Sequence, residues 1–511
     1  MNWIIPLFIA SIMSGCDRNS GARYSDAQQN GHDNVADKVE VGDGAKTPSD
    51  PKLFDIEING LGVTFRSKAP INRRGANLTK VRWYLGEVDV AGAGAGRYVP
   101  GDIPVYQSET KNVVHLYKAY RAFPVIFQAF YSDGEILTET RTIDLVNGTV
   151  VDTVASELKV TSLEAAKEIR KEAINYIWHD DKGEFSTKNG FRLDQVLDPI
   201  YGSWSLGKAG GGVDLSRFQN LEKAVGLKFK GGPWNTISWV LYLIPKNNIK
   251  NRLVLYHQGH GTFNFRDSWK MMRDLVDNGF HVMGFHMPGR ATNISDLPNY
   301  QSHNSYAVYE SSDYSGLRDF LEPVIRALDW ADKNAHFEDY SMIGFSGGAW
   351  VTDIVSALDT RINNSFSIGS YTPWYMTGRY TRGGGDPVTQ YWNLADFENG
   401  GGGGGKETTP AHLYMNIMGT VDMQAMKADF KGRNAYVYCN LYDDAGCRGW
   451  VQKSWGDEIA QWVEKRLEGR YSMVINTLNK DHRIGEWTRK DILVKLLDSR
   501  RDKHDSADDS Q

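Results

Sequence analysis

Hydrophobic and polar residues alternate with a period of two over the first structured part of the chain, the pattern of a strand with one buried face. The alternation starts with Phe54, Ile56 and Ile58, and it recurs on both sides of Gly134, which follows an aspartate. The dipeptide Asp-Gly favours the tight turn of a β-hairpin. This stretch of sequence has no helical period, so residues 52–148 are predicted to form a small antiparallel β-sandwich.

The pattern changes from about residue 155, where apolar residues return at helical spacing. Thr161 and Glu164 have the spacing of a capping box at the start of a helix. Beyond that helix, apolar runs of strand length alternate with amphipathic segments of helix length. The predicted strands are 240–244, 253–256, 281–285 and 340–345, and the predicted helices are 268–278 and 317–334, the second broken or restarted at Pro323. Such alternation implies a mostly parallel sheet with helices on both faces.

Length and composition narrow the class of protein. At 511 residues, 41% hydrophobic and 24% charged, the chain is long enough for two or three globular units. The formal net charge is -5, and the Lys and Arg residues are spread along the chain without a basic block. We therefore expect no nucleic-acid partner and a small-molecule or polymer substrate.

The N-terminus has the features of a targeting segment. Residues 3–13 are apolar, but this run is much shorter than the roughly 20 residues that span a bilayer. Met13, Ser14, Gly15 and Cys16 resemble the lipobox of bacterial lipoproteins. The resemblance implies a diacylglycerol on the Cys16 thiol and a location in the bacterial cell envelope, anchored to a membrane and facing the periplasm or the exterior.

The domain boundaries follow from these patterns. Residues 1–16 are the predicted signal peptide and lipobox, and residues 17–51, rich in Asp, Asn, Gly and Ser, are predicted to be a disordered linker. Within the predicted sandwich, residues 83–85 and 131–134 resemble segments of immunoglobulin-like domains of the PKD type. Residues 501–511 are predicted to be a disordered tail.

Two cysteines remain after the lipobox, Cys439 and Cys447. In an oxidising compartment, thiols eight positions apart reach disulfide geometry if the chain turns between them. The alternative is two unpaired, half-buried thiols, and the sequence leaves both open.

The candidate chemistry centres on the end of the predicted strand 340–345. Residues 344–348 read Gly-Phe-Ser-Gly-Gly, with Ser346 in the middle, and residues 349–358 continue as a helix. A strand, a Gly-x-Ser-x-Gly turn and a helix in this order resemble the nucleophile elbow of α/β-hydrolases. The resemblance covers residues 155–500 and implies that fold, with Ser346 as the nucleophile of a catalytic triad.

The same resemblance implies an oxyanion hole formed after the predicted strand 253–256 and at the elbow. The backbone amides of His260 and Gly347 are the expected donors. Gln258 stands where the family often has histidine, so the first donor is open by one position. His257 and His260 are the alternative reading as a metal pair, but the sequence nearby has no third ligand at suitable spacing, so we predict no metal.

The resemblance also orders the base and the acid along the chain. His482 follows the last predicted strand, which is the position of the family's base. The order strand, acid, helix, strand, base favours Asp443 as the acid. Asp422, which stands in a Gly-x-x-Asp turn, and Asp444 are the alternative acids.

A glycine-rich insertion near residues 376–410 lies between the elbow and the acid. It includes six consecutive glycines, Gly400 to Gly405. Such a segment is either a mobile lid over the pocket or an inert surface loop, and the sequence favours neither.

Taken with the triad, these features predict a serine hydrolase that cleaves carboxylic esters through an acyl-enzyme and needs no cofactor. A serine peptidase of the same fold is the nearest alternative. The alternative from another class is a surface binding protein with a non-catalytic hydrolase scaffold, against which a complete triad argues. The expected partners are a small-molecule or polymer-linked ester and, through the lipid, a membrane.

Overall fold

The computed structural model describes residues 52–59, 61–88, 105–108, 111–116, 122–145, 149–152, 158–200, 202–204, 213–248, 251–264, 268–291, 293–296, 313–370, 418–441, 443, 452–479 and 481–498. All of these residues belong to one compact unit, Pro51–Gln511. Several predicted features lie outside the described residues: the signal peptide with Cys16, the linker, the glycine-rich insertion and the C-terminal tail.

Two antiparallel sheets form the N-terminal part of this unit. The first consists of β1 (Phe54–Asn59), β2 (Gly62–Ser67) and β6 (Asn112–Leu116), in that order. The second consists of β3 (Asn72–Arg73), β4 (Ala76–Val88), β7 (Ala122–Tyr131), β8 (Ile136–Asp144) and β9 (Thr149–Asp152), with β5 (Val105–Ser108) paired to β4. The last strand extends this region slightly beyond residue 148, where the alternation predicted its end.

Aromatic side chains from both sheets fill the space between them. Trp83 of β4 is fully buried, and its ring centroid lies 4.4 Å from that of Phe127 on β7. From the other sheet, Phe54 and Phe65 approach the same indole, with centroid distances of 5.1 and 5.5 Å. Because these four rings face inward from two sheets, the alternation in the sequence reports a shared core.

A nine-stranded mixed sheet forms the larger part of the fold. Its strands, in spatial order, are β10 (Arg192–Ile200), β13 (Leu221–Gly231), β14 (Thr236–Pro245), β16 (His281–Phe285), β15 (Arg252–His257), β17 (Asp339–Phe345), β18 (Ile362–Ile368), β19 (Asn434–Asn440) and β20 (Arg470–Asn476). Neighbours from β16 to β20 are parallel, whereas β10, β13 and β14 pair antiparallel. A short hairpin of β11 (Ser203–Trp204) and β12 (Val213–Asp214), followed by the 3-10 turn Leu215–Arg217, precedes β13.

Two strands of the antiparallel edge, β10 and β13, were not predicted from the sequence. Strand β10 was not predicted, because most of its residues are exposed and it therefore lacks apolar alternation. Strand β13 was also missed, although the residues in its middle, 224–227, are buried. The prediction of a mostly parallel sheet therefore describes β16 to β20 and not the edge that precedes them.

Seven helices occur in the described ranges: α1 (Leu163–Trp178), α2 (Trp269–Asp277), α3 (Arg318–Asn334), α4 (Gly347–Leu358), α5 (Thr420–Met426), α6 (Gln452–Arg466) and α7 (Glu486–Asp498). Alternate residues of β15 show which helices pack on each face of the sheet. Leu253 and Leu255 share a buried cluster with side chains of α1, α3, α4, α5 and α6. Val254 and Tyr256 share a second cluster with α2 and α7. Helices therefore cover both faces of the sheet.

Pro323 does not break its helix, contrary to the prediction. Helix α3 is continuous through the proline, which is itself buried. A proline in a helix removes one backbone hydrogen bond and costs about 3 kcal/mol. Leu321, Val324 and Ile325 beside it are fully buried, so packing against the sheet outweighs that cost.

The N-terminal sheets and the larger sheet share buried contacts. Ile126 of β7 is fully buried and belongs to the same cluster as the helices over β15. Its strand and β8 contact α6, the helix that joins β19 to β20. None of the helices in the described ranges has the length and apolar composition needed to cross a membrane.

Candidate active site

Ser346 occupies a sharp turn between β17 and α4. Its backbone angles are φ 57° and ψ -126°, a conformation that costs a non-glycine residue energy and that tight packing must maintain. A Cβ atom added to Gly344 would lie 2.1 Å from the Gly348 carbonyl oxygen, and one added to Gly348 would lie 2.1 Å from that of His257. Both glycines are therefore required by the close approach of strand, helix and the loop after β15.

The loop after β15 packs directly against the serine. A Cβ atom added to Gly259 would lie 2.7 Å from Ser346 Cβ and 3.0 Å from the Gly347 nitrogen. The His260 ring contacts the other side of Gly347, with Cε1 2.9 Å from the position of an added Cβ. The structure thus brings His260 and Gly347 together beside Ser346.

Hydrogen bonding limits which amide of that loop can face a developing oxyanion. The Gln258 N–H donates to the Phe285 carbonyl oxygen at 2.9 Å, as a continuation of the sheet. Of the amides in this loop, that of Gln258 is therefore already hydrogen-bonded within the sheet.

His482 and Asp443 form a buried pair. His482 Nδ1 lies 2.8 Å from Asp443 Oδ1 and 3.0 Å from Oδ2. Asp443 follows β19 and His482 follows β20, so the carboxyl ends of neighbouring parallel strands deliver the two side chains. Both side chains are buried, which strengthens a charge-assisted hydrogen bond between them.

The imidazole of this pair lies beside the serine turn. Its ring centroid is 4.7 Å from that of Phe345, the residue before Ser346. A Cβ atom added to Gly369 would lie 2.9 Å from His482 Cε1, and the preceding residue, Ile368, accepts the Ser346 N–H at 2.9 Å. Because Nδ1 is directed to Asp443, the opposite ring nitrogen, Nε2, points away from the acid.

Asp422, the first alternative acid, lies elsewhere. Its carboxylate accepts the N–H groups of Lys159 at 2.7 Å, Val160 at 3.1 Å and Gly419 at 3.2 Å. It therefore caps α5 and binds the segment before α1, and burial raises its pKa. The structure does not bring Asp422 to His482, because the strand next to the base is β19.

Two other predicted positions lie outside the described residues. These are Asp444, the second alternative acid, and Cys447. Cys439, at the end of β19, is fully buried and disulfide-bonded. A covalent link therefore holds the strand that leads to Asp443.

A buried ionic cluster below the serine turn escaped the sequence analysis. Asp353 of α4 binds Lys427, and it accepts hydrogen bonds from Ser367 Oγ at 2.5 Å and Ser370 Oγ at 2.8 Å. The two serines flank the segment that contacts Ser346 and His482. Burial lowers the pKa of Lys427, which the Asp353 carboxylate opposes.

The imidazole of His257, the last residue of β15, is buried. His257 Nδ1 lies 2.9 Å from the Gln258 carbonyl oxygen, and burial lowers the pKa of His257 to about 4, so the ring is neutral at pH 7. In the part of the chain that the structure describes, no three His, Cys, Asp or Glu side chains are grouped as metal ligands.

Comparison with known proteins gives only distant similarity. The sequence matches no protein family and no curated protein. Among solved structures, acetyl xylan esterase 1 from Thermoanaerobacterium sp. is 12% identical with a TM-score of 0.42, and glucuronoyl esterase from Solibacter usitatus is 13% identical with a TM-score of 0.41; each match covers 66% of this chain and 94% of the other. Est1E from Butyrivibrio proteoclasticus is 14% identical with a TM-score of 0.35, covering 52% of this chain and 97% of the other. At such scores the similarity carries no argument about activity, which must come from the site.

Proposed function

We propose that this protein is a serine hydrolase of the α/β-hydrolase fold that cleaves carboxylic esters through an acyl-enzyme. Ser346 is the nucleophile, His482 the general base and Asp443 the acid that orients it. The observation that carries the proposal is the buried imidazole–carboxylate pair, 2.8 Å apart, packed against the residue that precedes a strained serine. These are the parts that activate a hydroxyl for acyl transfer.

In the proposed reaction, Ser346 Oγ forms a bond to the ester carbonyl carbon while its proton moves to His482 Nε2. The carbonyl oxygen becomes an oxyanion facing the backbone amides of Gly347 and of His260 or its neighbour Gly259. When the carbon–oxygen bond to the alcohol breaks, His482 returns the proton to the leaving oxygen. Water then repeats the sequence on the acyl-enzyme, while Asp443 keeps its hydrogen bond to His482 Nδ1.

The strand order supports the same proposal. The serine follows β17 in the middle of the sheet, and the acid and base follow β19 and β20. Ligands of open sheets with parallel strands bind at the carboxyl ends of those strands. All three proposed catalytic side chains come from that edge.

The first test replaces the nucleophile. Ser346→Ala should lower kcat on a nitrophenyl ester by on the order of 10⁶-fold, as loss of the nucleophile does in a serine protease. Ser356→Ala, which removes a buried hydroxyl from the same helix, is the matched control and should keep its turnover. A fluorophosphonate probe should label the wild type and the control, but not Ser346→Ala.

Turnover by Ser346→Ala equal to that of the wild type would refute the proposal. The choice between esterase and peptidase is made on the wild type, by comparing a nitrophenyl ester with a peptide nitroanilide of similar acyl size. We expect the ester to be cleaved faster. Acetylated xylan and a glucuronoyl ester belong in the same panel, because the proposed substrates include polymer-linked as well as small-molecule esters.

We also propose that the protein is anchored by lipid at Cys16 and works in the bacterial cell envelope, with a PKD-like sandwich between the anchor and the hydrolase. The support is the sequence of the first 16 residues, an apolar run too short to span a bilayer and followed by small residues and a cysteine. Membrane fractionation of cells with and without Cys16 tests it. A substrate of this enzyme would then meet it outside the cytoplasm.

A further inference from the structure

Asn440 binds the backbone on both sides of the proposed base. It is the last residue of β19, and its side chain is fully buried. Asn440 Nδ2 donates to the carbonyl oxygen of Asp481 at 3.1 Å and to that of Arg483 at 3.2 Å. These two residues flank His482, so one carboxamide holds both ends of the short segment that presents the imidazole.

The same side chain also reaches the acid. Asn440 Nδ2 lies 3.4 Å from Asp443 Oδ2, and the Asp443 N–H donates to the Asn440 carbonyl oxygen at 3.2 Å. Its own orientation is determined from the other side, because Asn440 Oδ1 accepts from Asn479 Nδ2 at 3.2 Å. A carboxamide with its oxygen held in this way must direct its N–H groups towards the loop of the base.

From these contacts we propose that Asn440 is a positioning residue, whose carboxamide aligns the backbone around His482 with Asp443 so that the imidazole is presented to Ser346. The inference rests on the proposed function. Its physical basis is that the described residues between Asn476 and α7, 477–479 and 481–485, lie in neither a helix nor a strand, so side-chain donors fix where their carbonyls lie. A displacement of about 1 Å at a reacting group can cost 10²-fold in rate.

The alternative is that Asn440 has a purely structural role. A second buried asparagine, far from the site, allows the two roles to be distinguished. Asn364, at the start of β18, is 3% exposed and also uses both ends of its carboxamide. Its Nδ2 donates to Ser341 Oγ at 3.2 Å, and its Oδ1 accepts from Asn434 Nδ2 at 2.9 Å. It lies at the amino ends of the parallel strands, opposite the site, so Asn364→Ala is the matched control.

The experiment compares Asn440→Ala, Asn440→Asp and Asn364→Ala in the full chain on a nitrophenyl ester. Each preparation is titrated with a fluorophosphonate, so that rates refer to folded, reactive sites. We expect kcat of both Asn440 variants to fall roughly 10- to 100-fold with KM nearly unchanged, because alignment and not substrate binding is lost. Asn364→Ala should keep the wild-type kcat even where its Tm falls as far as that of Asn440→Ala.

A second readout follows the imidazole itself. The low-field proton resonance of the His482 Nδ1–H in its bond to Asp443 should be visible in the wild type and in Asn364→Ala, and broadened by solvent exchange in the Asn440 variants. Asn440→Asp keeps the shape of the side chain, so it reports on the lost donors if Asn440→Ala fails to fold. Wild-type kcat in Asn440→Asp would overturn the positioning role, and it would leave the proposed function intact as long as Ser346→Ala is inactive.

Discussion

Asp443 and Asp422 are both buried, but their hydrogen-bond partners differ. Asp443 faces an imidazole, whereas Asp422 faces three backbone N–H groups. In the proposed mechanism, the first arrangement orients a base and stabilises its charged form. The second satisfies backbone donors at the start of α5 and near α1, and it contributes to stability.

Substitution of each aspartate by asparagine should therefore affect different quantities. Asp443→Asn should lower kcat by on the order of 10⁴-fold, the cost of the wrong imidazole tautomer in a serine protease, with little change in Tm. Asp422→Asn places an amide against backbone donors and should cost roughly 1–3 kcal/mol of unfolding free energy at nearly unchanged kcat. Steady-state kinetics and denaturant unfolding of the two variants measure both quantities.

The reverse result, a large loss of kcat in Asp422→Asn and none in Asp443→Asn, would contradict the assignment of the acid. Asp444 is next to Asp443 in sequence, and Asp444→Asn is the natural companion variant. We expect it to keep its turnover.

Candidate site residues could be proposed from the sequence where a local motif or the order of strands marks their position. Ser346 stands in a glycine-flanked turn between a strand and a helix, and Asp443 and His482 each follow a strand in the order that the resemblance implies. Asn440 and Asp353 carry no such local signal. Their partners are 41 and 74 residues away, and only the folded chain brings them together.

Helix α4 makes polar contacts in its middle and at its carboxyl end. In the middle, Asp353 binds Lys427, the residue after α5, and two serines at the end of β18, Ser367 and Ser370. At its end, Arg170 Nε donates to the Ala357 carbonyl oxygen at 2.9 Å, and Arg433 donates to that of Ser356. Cations at the carboxyl end of a helix favour its dipole. These contacts orient the helix whose first residue follows Ser346.

The pairing of Asp353 with Lys427 should appear as a strong coupling between the two residues. Both side chains are fully buried. Lys427→Met leaves an uncompensated carboxylate and should cost about 3–5 kcal/mol of unfolding free energy. The double variant Asp353→Asn with Lys427→Met removes both charges, so it should be more stable than Lys427→Met alone.

Denaturant midpoints of the wild type, the two single variants and the double variant complete this cycle. If the losses of unfolding free energy in the two single variants sum to that of the double variant, Asp353 and Lys427 do not stabilise each other. Arg489→Met, which breaks a part-buried ion pair with Asp274 near α2, is a suitable control and should cost less, because water screens that pair.

Strands were predictable from the sequence where they are buried throughout and not where they are mostly exposed. The apolar runs at 253–256, 281–285 and 340–345 lie within β15, β16 and β17. Strand β10 is mostly exposed, so no apolar run marks it. The prediction at Pro323 was wrong because it used only the local tendency of proline to end a helix. This helix is buried over most of its length, and that packing keeps it continuous.

At the scale of the whole molecule, buried contacts join the N-terminal sheets to the part of the fold built on the nine-stranded sheet. Ile126 lies in the core of the larger part, and Trp462 Nε1 of α6 donates to the Val160 carbonyl oxygen at 2.8 Å. Helix α6 thus contacts β7 and β8 on one side and connects the strand of the acid to the strand of the base. The sandwich therefore supports the segment that separates Asp443 from His482.

Attachment of this unit to a membrane is the last prediction, and it depends on Cys16 alone. An apolar run of residues 3–13 is too short to span a bilayer, so we propose that lipid, and not this run, attaches the chain to the membrane. Cys16→Ala should therefore move the protein from the membrane fraction to the soluble fraction, or leave it with an uncleaved leader, and labelled palmitate should be incorporated by the wild type only. Ser20→Ala, four residues further along, is the control for a substitution near the lipobox and should stay with the membrane. Palmitate labelling retained by Cys16→Ala would refute the assignment, because no other residue of the first 50 carries a thiol.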